Sequence, residues 1–264
     1  MRPVRQDEFI TDTRTLGKDL SVEERKALFV DEEELVKSGK MATYTEYLKK
    51  ILPGEVERLC FIEQVTMAMV GLTNKTAMLN VGDGNNGKSS LFDHAKLLLG
   101  DYMFVGHAGC LSSKADGATM AAMSGARGVL YDDTFGANSC ISDARFKLLV
   151  GNKNYCARGL YETATEHTNV ATTILLWNQP PKLTYSDKAV AARILYLPFR
   201  SSFVSSTDQL APAIDADCRV FEADPYFVSR QFYVEHAPCL LLLCLKRFST
   251  LRDNKFKVLT SCFF

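Results

Sequence analysis

Residues 82–89 read GDGNNGKS, a match to GxxxxGK[S/T], a spacing that lets backbone amides, one ammonium group and one hydroxyl converge on a chain of phosphates. The glycines Gly82, Gly84 and Gly87 permit positive φ and close backbone approach. With Asp83, Asn85 and Asn86 between them, they form a loop whose N–H groups can point at one anion. Lys88 is spaced to bridge the β- and γ-phosphates, Ser89 to ligate Mg²⁺ and Ser90 to reach an α-phosphate, at a helix start whose dipole favours negative charge. The competing reading is a plain glycine-rich turn. Context argues against it: an apolar strand (TAMLNVG) precedes the loop and a helical pattern (LFDHAKLLLG) follows.

Cleaving a phosphoanhydride also needs carboxylates, one for a hydrated metal and one to take a proton from attacking water. The apolar run ending in Asp132 and Asp133 offers both, Asp132 for the metal's outer shell and Asp133 as base, although paired aspartates also end strands as turns. The run TILLW delivers Asn178 and stops at Pro180 and Pro181. An amide there could touch both the γ-phosphate and the water, or Asn178 could be a turn residue; Trp177 reads as core. Arg193 precedes a further apolar run, ILYL, and an arginine reaching a neighbouring subunit's γ-phosphate would stabilise transition-state charge. Residues 144–161 carry Arg145, Lys147, Lys153 and Arg158 with no acidic residue. Gly151 and Asn152 read as a turn that exposes Lys153, with Phe146, Tyr155 and Tyr161 interleaved. Such a tip can hold a nucleic-acid strand by its phosphates, or be an ordinary solvated hairpin.

Elements of alternating type must position these residues. Ser21 with Glu24 has the form of a capping box, and residues 44–52 and 56–70 are helix candidates stopped by Pro53-Gly54 and Gly71. The first third reads as helical. Beyond it, short apolar strands alternate with possible helices, which predicts an α/β core with a mostly parallel sheet. The expected organisation is a lead-in and helical segment over residues 1–71, the P-loop core over 72–203 and a C-terminal helical segment over 204–264. The run CLLLLCL at residues 239–245 reads as a buried helix, far short of the roughly 20 residues that cross a bilayer.

Net charge points to no partner, since 31 basic residues balance 31 acidic ones, so any nucleic-acid surface has to be local. The eight cysteines include no CxxC pair and read as reduced thiols of a cytoplasmic or nuclear protein. The start, MRPVRQDEF, lacks the apolar stretch of a secretory signal. The four histidines show no metal-site spacing, and no GxSxG motif occurs.

Taken in order, GDGNNGKSS, ARGVLYDD, FKLLVGNKNYCARGLYE, ILLWNQPP and ARILYLPF resemble the superfamily III helicases of DNA viruses. Among these the chain looks like the helicase part of the poxvirus-type primase-helicases of large cytoplasmic DNA viruses, and the resemblance covers residues 44–203. It implies an AAA+-like P-loop NTPase core that uses ATP and Mg²⁺. It further implies self-association into a hexameric ring and translocation on single-stranded DNA during viral-type replication. A primase or other replication partner, no membrane and a host-cell replication site follow from the same likeness. By position, Lys88 and Ser89 match the Walker A residues, Asp132 and Asp133 the Walker B place, Asn178 the sensor asparagine and Arg193 the arginine finger. Lys147, Lys153 and Arg158 fall in the motif leading into the DNA-contacting hairpin.

Two departures stand out. The family usually has glutamate where Asp133 stands, and the shorter acid could leave its oxygen about 1 Å from the required place, an error that can cost on the order of 100-fold in rate. The chain also has no room for the large upstream primase region, so a stand-alone motor or a fragment is expected. Other readings are an AAA+-like ATPase that remodels a protein partner and a catalytically weakened nucleotide-binding assembly module.

Overall fold

The computed structural model describes residues 17–29, 31–73, 75–112, 117–132, 140–159, 161–179, 182–183, 188–205 and 219–255. In chain order the helices are α1 (Val22–Lys26), α2 (Glu32–Lys37), α3 (Lys40–Ile51), α4 (Glu55–Val70), α5 (Lys88–Leu99), α6 (Gly117–Ala122), α7 (Asp143–Phe146), α8 (Lys188–Ala191) and α9 (Arg230–Asp253). The strands are β1 (Ala77–Val81), β2 (Met103–His107), β3 (Gly128–Asp132), β4 (Cys140–Ile141), β5 (Asn154–Ala157), β6 (Thr165–Thr168), β7 (Thr172–Trp177), β8 (Lys182–Leu183), β9 (Ile194–Pro198), β10 (Ser201–Val204) and β11 (Arg219–Glu222). A single π-helical turn, Lys147–Gly151, joins α7 to β5.

The chain divides into two compact units. One holds the described parts of residues 67–83 and 102–198 and is built on a five-stranded, all-parallel sheet in the order β2-β3-β7-β1-β9. This is the α/β P-loop architecture that the alternating pattern predicts. Every residue of β1 and β7 is buried, as central strands of a parallel sheet must be when both faces are covered. Tyr131, Phe146 and Trp177 fill the same core. The edge strand β2 has no counterpart among the sequence expectations. Its run MFVGH is interrupted by Gly106, and a strand paired on one side needs less apolar surface.

The other unit holds the described parts of residues 1–66, 84–101 and 199–257 and is mainly helical. The capping box at α1 is present, with Glu24 N–H donating to Ser21 Oγ at 3.1 Å and Ser21 N–H to Glu24 Oε2 at 2.7 Å. Arg230 grips the same Glu24 carboxylate and holds it down at about 2, tying α9 to α1. Arg247 on α9 pairs with Glu63, both mostly buried. The run at residues 239–245 lies inside α9, with Cys239, Leu240, Leu241 and Cys244 buried. Among the described residues beyond 204 lie α9 and β11, which pairs in parallel with β10. Among the described residues no helix is long and apolar enough to cross a membrane. Cys60 is disulfide-bonded, which departs from the all-thiol expectation, while Cys110, Cys156, Cys239 and Cys244 are free.

An aromatic cluster joins α3, α5 and α9: Tyr44 meets the His94 ring edge-on at 5.3 Å, and Tyr233 stacks on His94 at 5.3 Å. Burial, reinforced by nearby His236, depresses the His94 pKa to about 3. The unfolded chain therefore takes up a proton near pH 6.5 that the folded chain refuses until about pH 3. Stability contributed by His94 is complete above pH 6.5 and falls on acidification across that window by about 1.4 kcal/mol per pH unit. Urea unfolding at stepped pH should show this loss, and His94→Phe should flatten the slope.

Candidate nucleotide site and strand-contacting hairpin

Two of the residues singled out by type and spacing, Asp132 and Asn178, stand at the carboxyl edge of the parallel sheet. Asp132, the last residue of β3, is exposed and in register with Leu176 of β7. Leu176 is in turn in register with Asn80 of β1, so the three strands end nearly level. Asn178 follows β7 directly and is exposed, and Gly82 N–H donates to the Trp177 carbonyl at 3.3 Å. β7 thus lies between the P-loop strand and the acidic strand, and Asn178 emerges between them. Asp133 lies outside the described residues, as do Pro180 and Pro181.

Beyond β1, the loop bends through two left-handed residues, Asn85 at φ 59° and Gly87 at φ 79°. Gly82 and Gly84 are not in that region, so the three-glycine expectation is corrected: asparagine takes one left-handed position, which its short polar side chain tolerates. The buried Asn86 accepts from Lys88 N–H at 3.1 Å, and Asn85 accepts from Phe203 N–H at 2.7 Å, fixing the loop at both ends. Asp83 and Gly84 are exposed. Lys88 opens α5 and is 6% exposed, whereas Ser89 is open to solvent.

Gly87 is confined twice, by its φ and by space, since a Cβ there would lie 2.7 Å from Ile51 Cγ1. Gly87→Ala should cost about 1–3 kcal/mol through strain alone, with a further cost from the Ile51 clash. Its denaturation midpoint should drop, and nucleotide affinity with it.

The Ser90 hydroxyl meets Tyr47 Oη at 2.7 Å, receives a hydrogen bond from Tyr233 Oη at 3.1 Å and donates to the Phe227 carbonyl at 3.3 Å. These partners anchor α5 within its own unit. Beside them opens a small apolar slot of about 70 Å³ lined by Tyr47, Ile51, Gly87, Phe203, Phe227 and Val228, with Lys50 Nζ 5.4 Å from the Phe227 ring. Sequence reasoning missed this slot. Aromatics at helical spacing in residues 44–52 look the same whether they fill a core or flank a cavity.

Arg193 sits at the opposite edge of the sheet. Its carbonyl accepts from Ala77 N–H at 2.7 Å, and Ile194 pairs with Ala77 at the start of β1. The five residues of β1 separate it from the loop on the same chain by roughly 15 Å. Its guanidinium lies against Gly151, where an added Cβ would be 3.1 Å from Cζ.

β5 and β6 form an antiparallel hairpin with alternating faces, Tyr155 and Ala157 buried, Asn154 and Cys156 exposed. Lys147 is half-buried in the π turn, Lys153 is exposed at the open end of the hairpin, and Arg158 is exposed where the chain leaves β5. The exposed tip expected at Gly151 and Asn152 is therefore corrected, because Gly151 closes the π turn and the reversal falls after Arg158. There Tyr161 is fully exposed at φ 63°. β6 also brings Glu166 beside the basic arm, where Asn154 donates to it at 3.0 Å.

A P-loop at the carboxyl edge of a parallel sheet defines the class as an α/β P-loop fold. No known protein-family profile matches the chain. Over 168 residues it is 24% identical to a protein of Acanthamoeba polyphaga mimivirus named "Putative helicase L207/L206", a match covering 61% of this chain and 17% of that protein. Its fold is similar to the apo structure of the NrS-1 C-terminal region (305–718), with TM-score 0.58, 14% identity and coverage of 82% of this chain and 48% of that one. The A form apo structure of the NrS-1 C-terminal region gives TM-score 0.56 at 13% identity, covering 76% of this chain and 44% of that one. The chain thus spans less than half the length of each of these proteins.

Proposed function

We propose that the chain is an ATP-hydrolysing motor of the helicase type that moves along single-stranded DNA as part of a ring. The carrying observation is the strand order, which sets Asn178 between the P-loop strand and the acidic strand at one sheet edge while holding Arg193 at the other. An arginine so far from the loop of its own chain suits a neighbour's nucleotide. The partial similarity to a viral protein named as a helicase supports the same reading.

The residues present fit a magnesium nucleotide. Asn85 and Gly87 carry the positive φ that anion-binding loops use, and Ser89 and Asp132 expose oxygens of the type Mg²⁺ prefers, Ser89 for direct ligation and Asp132 for the outer shell. Bound Mg²⁺ would neutralise charge on the β- and γ-phosphates. Lys88 would hold those phosphates, Asp133 would accept the proton of the attacking water, and Asn178 would orient that water. The slot at Phe203 and Phe227 would take the base, and Lys147, Lys153 and Arg158 would hold the DNA backbone.

Hydrolysis measured with and without oligo(dT), alongside mass in solution, tests this. Stimulation by DNA and specific activity that rises with protein concentration are expected. Constant specific activity across the assembly range would remove the ring. A second reading, an ATPase that remodels protein, draws on the mixed charge that Glu166 gives the hairpin; it requires hydrolysis indifferent to DNA.

A further inference from the structure

The buried Asn169 sits at one junction shared by the hairpin, the π turn and the strand that ends at Asn178. It is 6% exposed and follows β6 with only Val170 and Ala171 before β7. Its side-chain amide donates to the Leu149 carbonyl at 2.6 Å and the Asn152 carbonyl at 3.4 Å. Its side-chain oxygen accepts from Ala171 N–H at 3.1 Å, and its own N–H donates to the Lys153 carbonyl at 2.7 Å. One residue therefore clasps the end of the π turn, both arms of the hairpin and the start of β7. Gly151, between the two carbonyls that Asn169 holds, is also the surface on which the Arg193 guanidinium rests.

We propose that Asn169 is a positioning residue that couples the β5–β6 hairpin to β7 and Arg193, so that nucleotide state and strand grip change together. The coupling rests on the motor reading above. A π turn is a strained, often functional interruption of helix, and a movable turn transmits motion only if its end is pinned to something rigid. Here the rigid element is a fully buried central strand, and the pin is a side chain whose donors and acceptor are engaged. Arg193 reports the neighbour's nucleotide to the same turn. Coupling carried in this way should change by about 2- to 30-fold when the pin is altered.

Asn169→Asp keeps shape and the acceptor for Ala171 but turns a carboxylate toward two carbonyls. In the whole chain, hydrolysis with and without oligo(dT), binding of labelled oligo(dT) and circular dichroism should be read together. The expected result is unstimulated hydrolysis and DNA binding close to wild type, with DNA stimulation reduced about 2- to 30-fold. If the variant does not fold, Asn169→Ser decides, since its hydroxyl can still accept from Ala171 N–H but is too short to hold both carbonyls, and it leaves Gly151 and Arg193 untouched; selective loss of stimulation supports the coupling. Unchanged stimulation in the folded variant, or equal loss of stimulated and unstimulated rates, overturns it. A wild-type chain that hydrolyses ATP yet ignores DNA would overturn the motor reading and the coupling with it. A responsive wild type beside an equally responsive Asn169→Asp would overturn the coupling alone.

Discussion

Arg193→Ala should lower kcat for ATP by about 1000-fold or more, as loss of an arginine finger does, while each protomer still binds Mg-nucleotide with near-normal affinity. The reason is geometric. Arg193 stands at the amino edge of the sheet, where its carbonyl accepts from Ala77 N–H at the start of β1, and in the proposed ring it would serve a neighbour's nucleotide rather than its own. Its charge would act only on an adjacent protomer's γ-phosphate, where negative charge spreads in the transition state. Turnover at saturating ATP, with affinity from a fluorescent nucleotide analogue, separates the two effects. Equal loss of affinity and turnover would show that Arg193 serves its own site or the fold.

Lys88→Ala should remove hydrolysis and weaken nucleotide binding together, the first by roughly 100- to 1000-fold, comparable to loss of a preorganised donor to a developing anion. The ammonium group is nearly enclosed at the start of α5, where its interaction with phosphate would be little screened by water. The two variants also test each other. An Arg193→Ala protomer keeps a sound loop and a Lys88→Ala protomer keeps a sound finger, so mixing two inactive preparations should restore part of the activity. Mixtures no more active than their components would mean that both residues serve a single chain.

Much of the fold is legible because short apolar runs bounded by turn residues have few alternatives. β1, β3, β7 and β9 fall on such runs, and α1 opens on its capping box. What is not legible is pairing. Periodicity marks which residues are buried but not which strand lies beside which, so neither the insertion of β7 between β1 and β3 nor the remote place of Arg193 follows from the residues alone. The loop shows the same limit at finer grain. GDGNNGKS identifies the phosphate chemistry, yet left-handed backbone falls on Asn85 as well as Gly87 because neighbouring packing, not glycine count, sets φ. Gly151 with Asn152 has turn composition, but the π turn uses Gly151 as its last residue and the hairpin reverses later. Asn169 carried no signal: a lone asparagine ahead of an apolar run becomes informative only when its partners are known.

The sheet order also governs how the chain matures during synthesis. β1 has both its neighbours far downstream: Thr173 pairs with Ala77 about 100 residues later, and Ile194 later still. At ribosomal speeds of about 5–20 residues per second, this mostly apolar strand, polar only at Asn80, waits on the order of 5–20 s with both edges open. Chains halted before Ile194 would leave that edge bare, making premature termination in this region a route to aggregation and a point where chaperones would act.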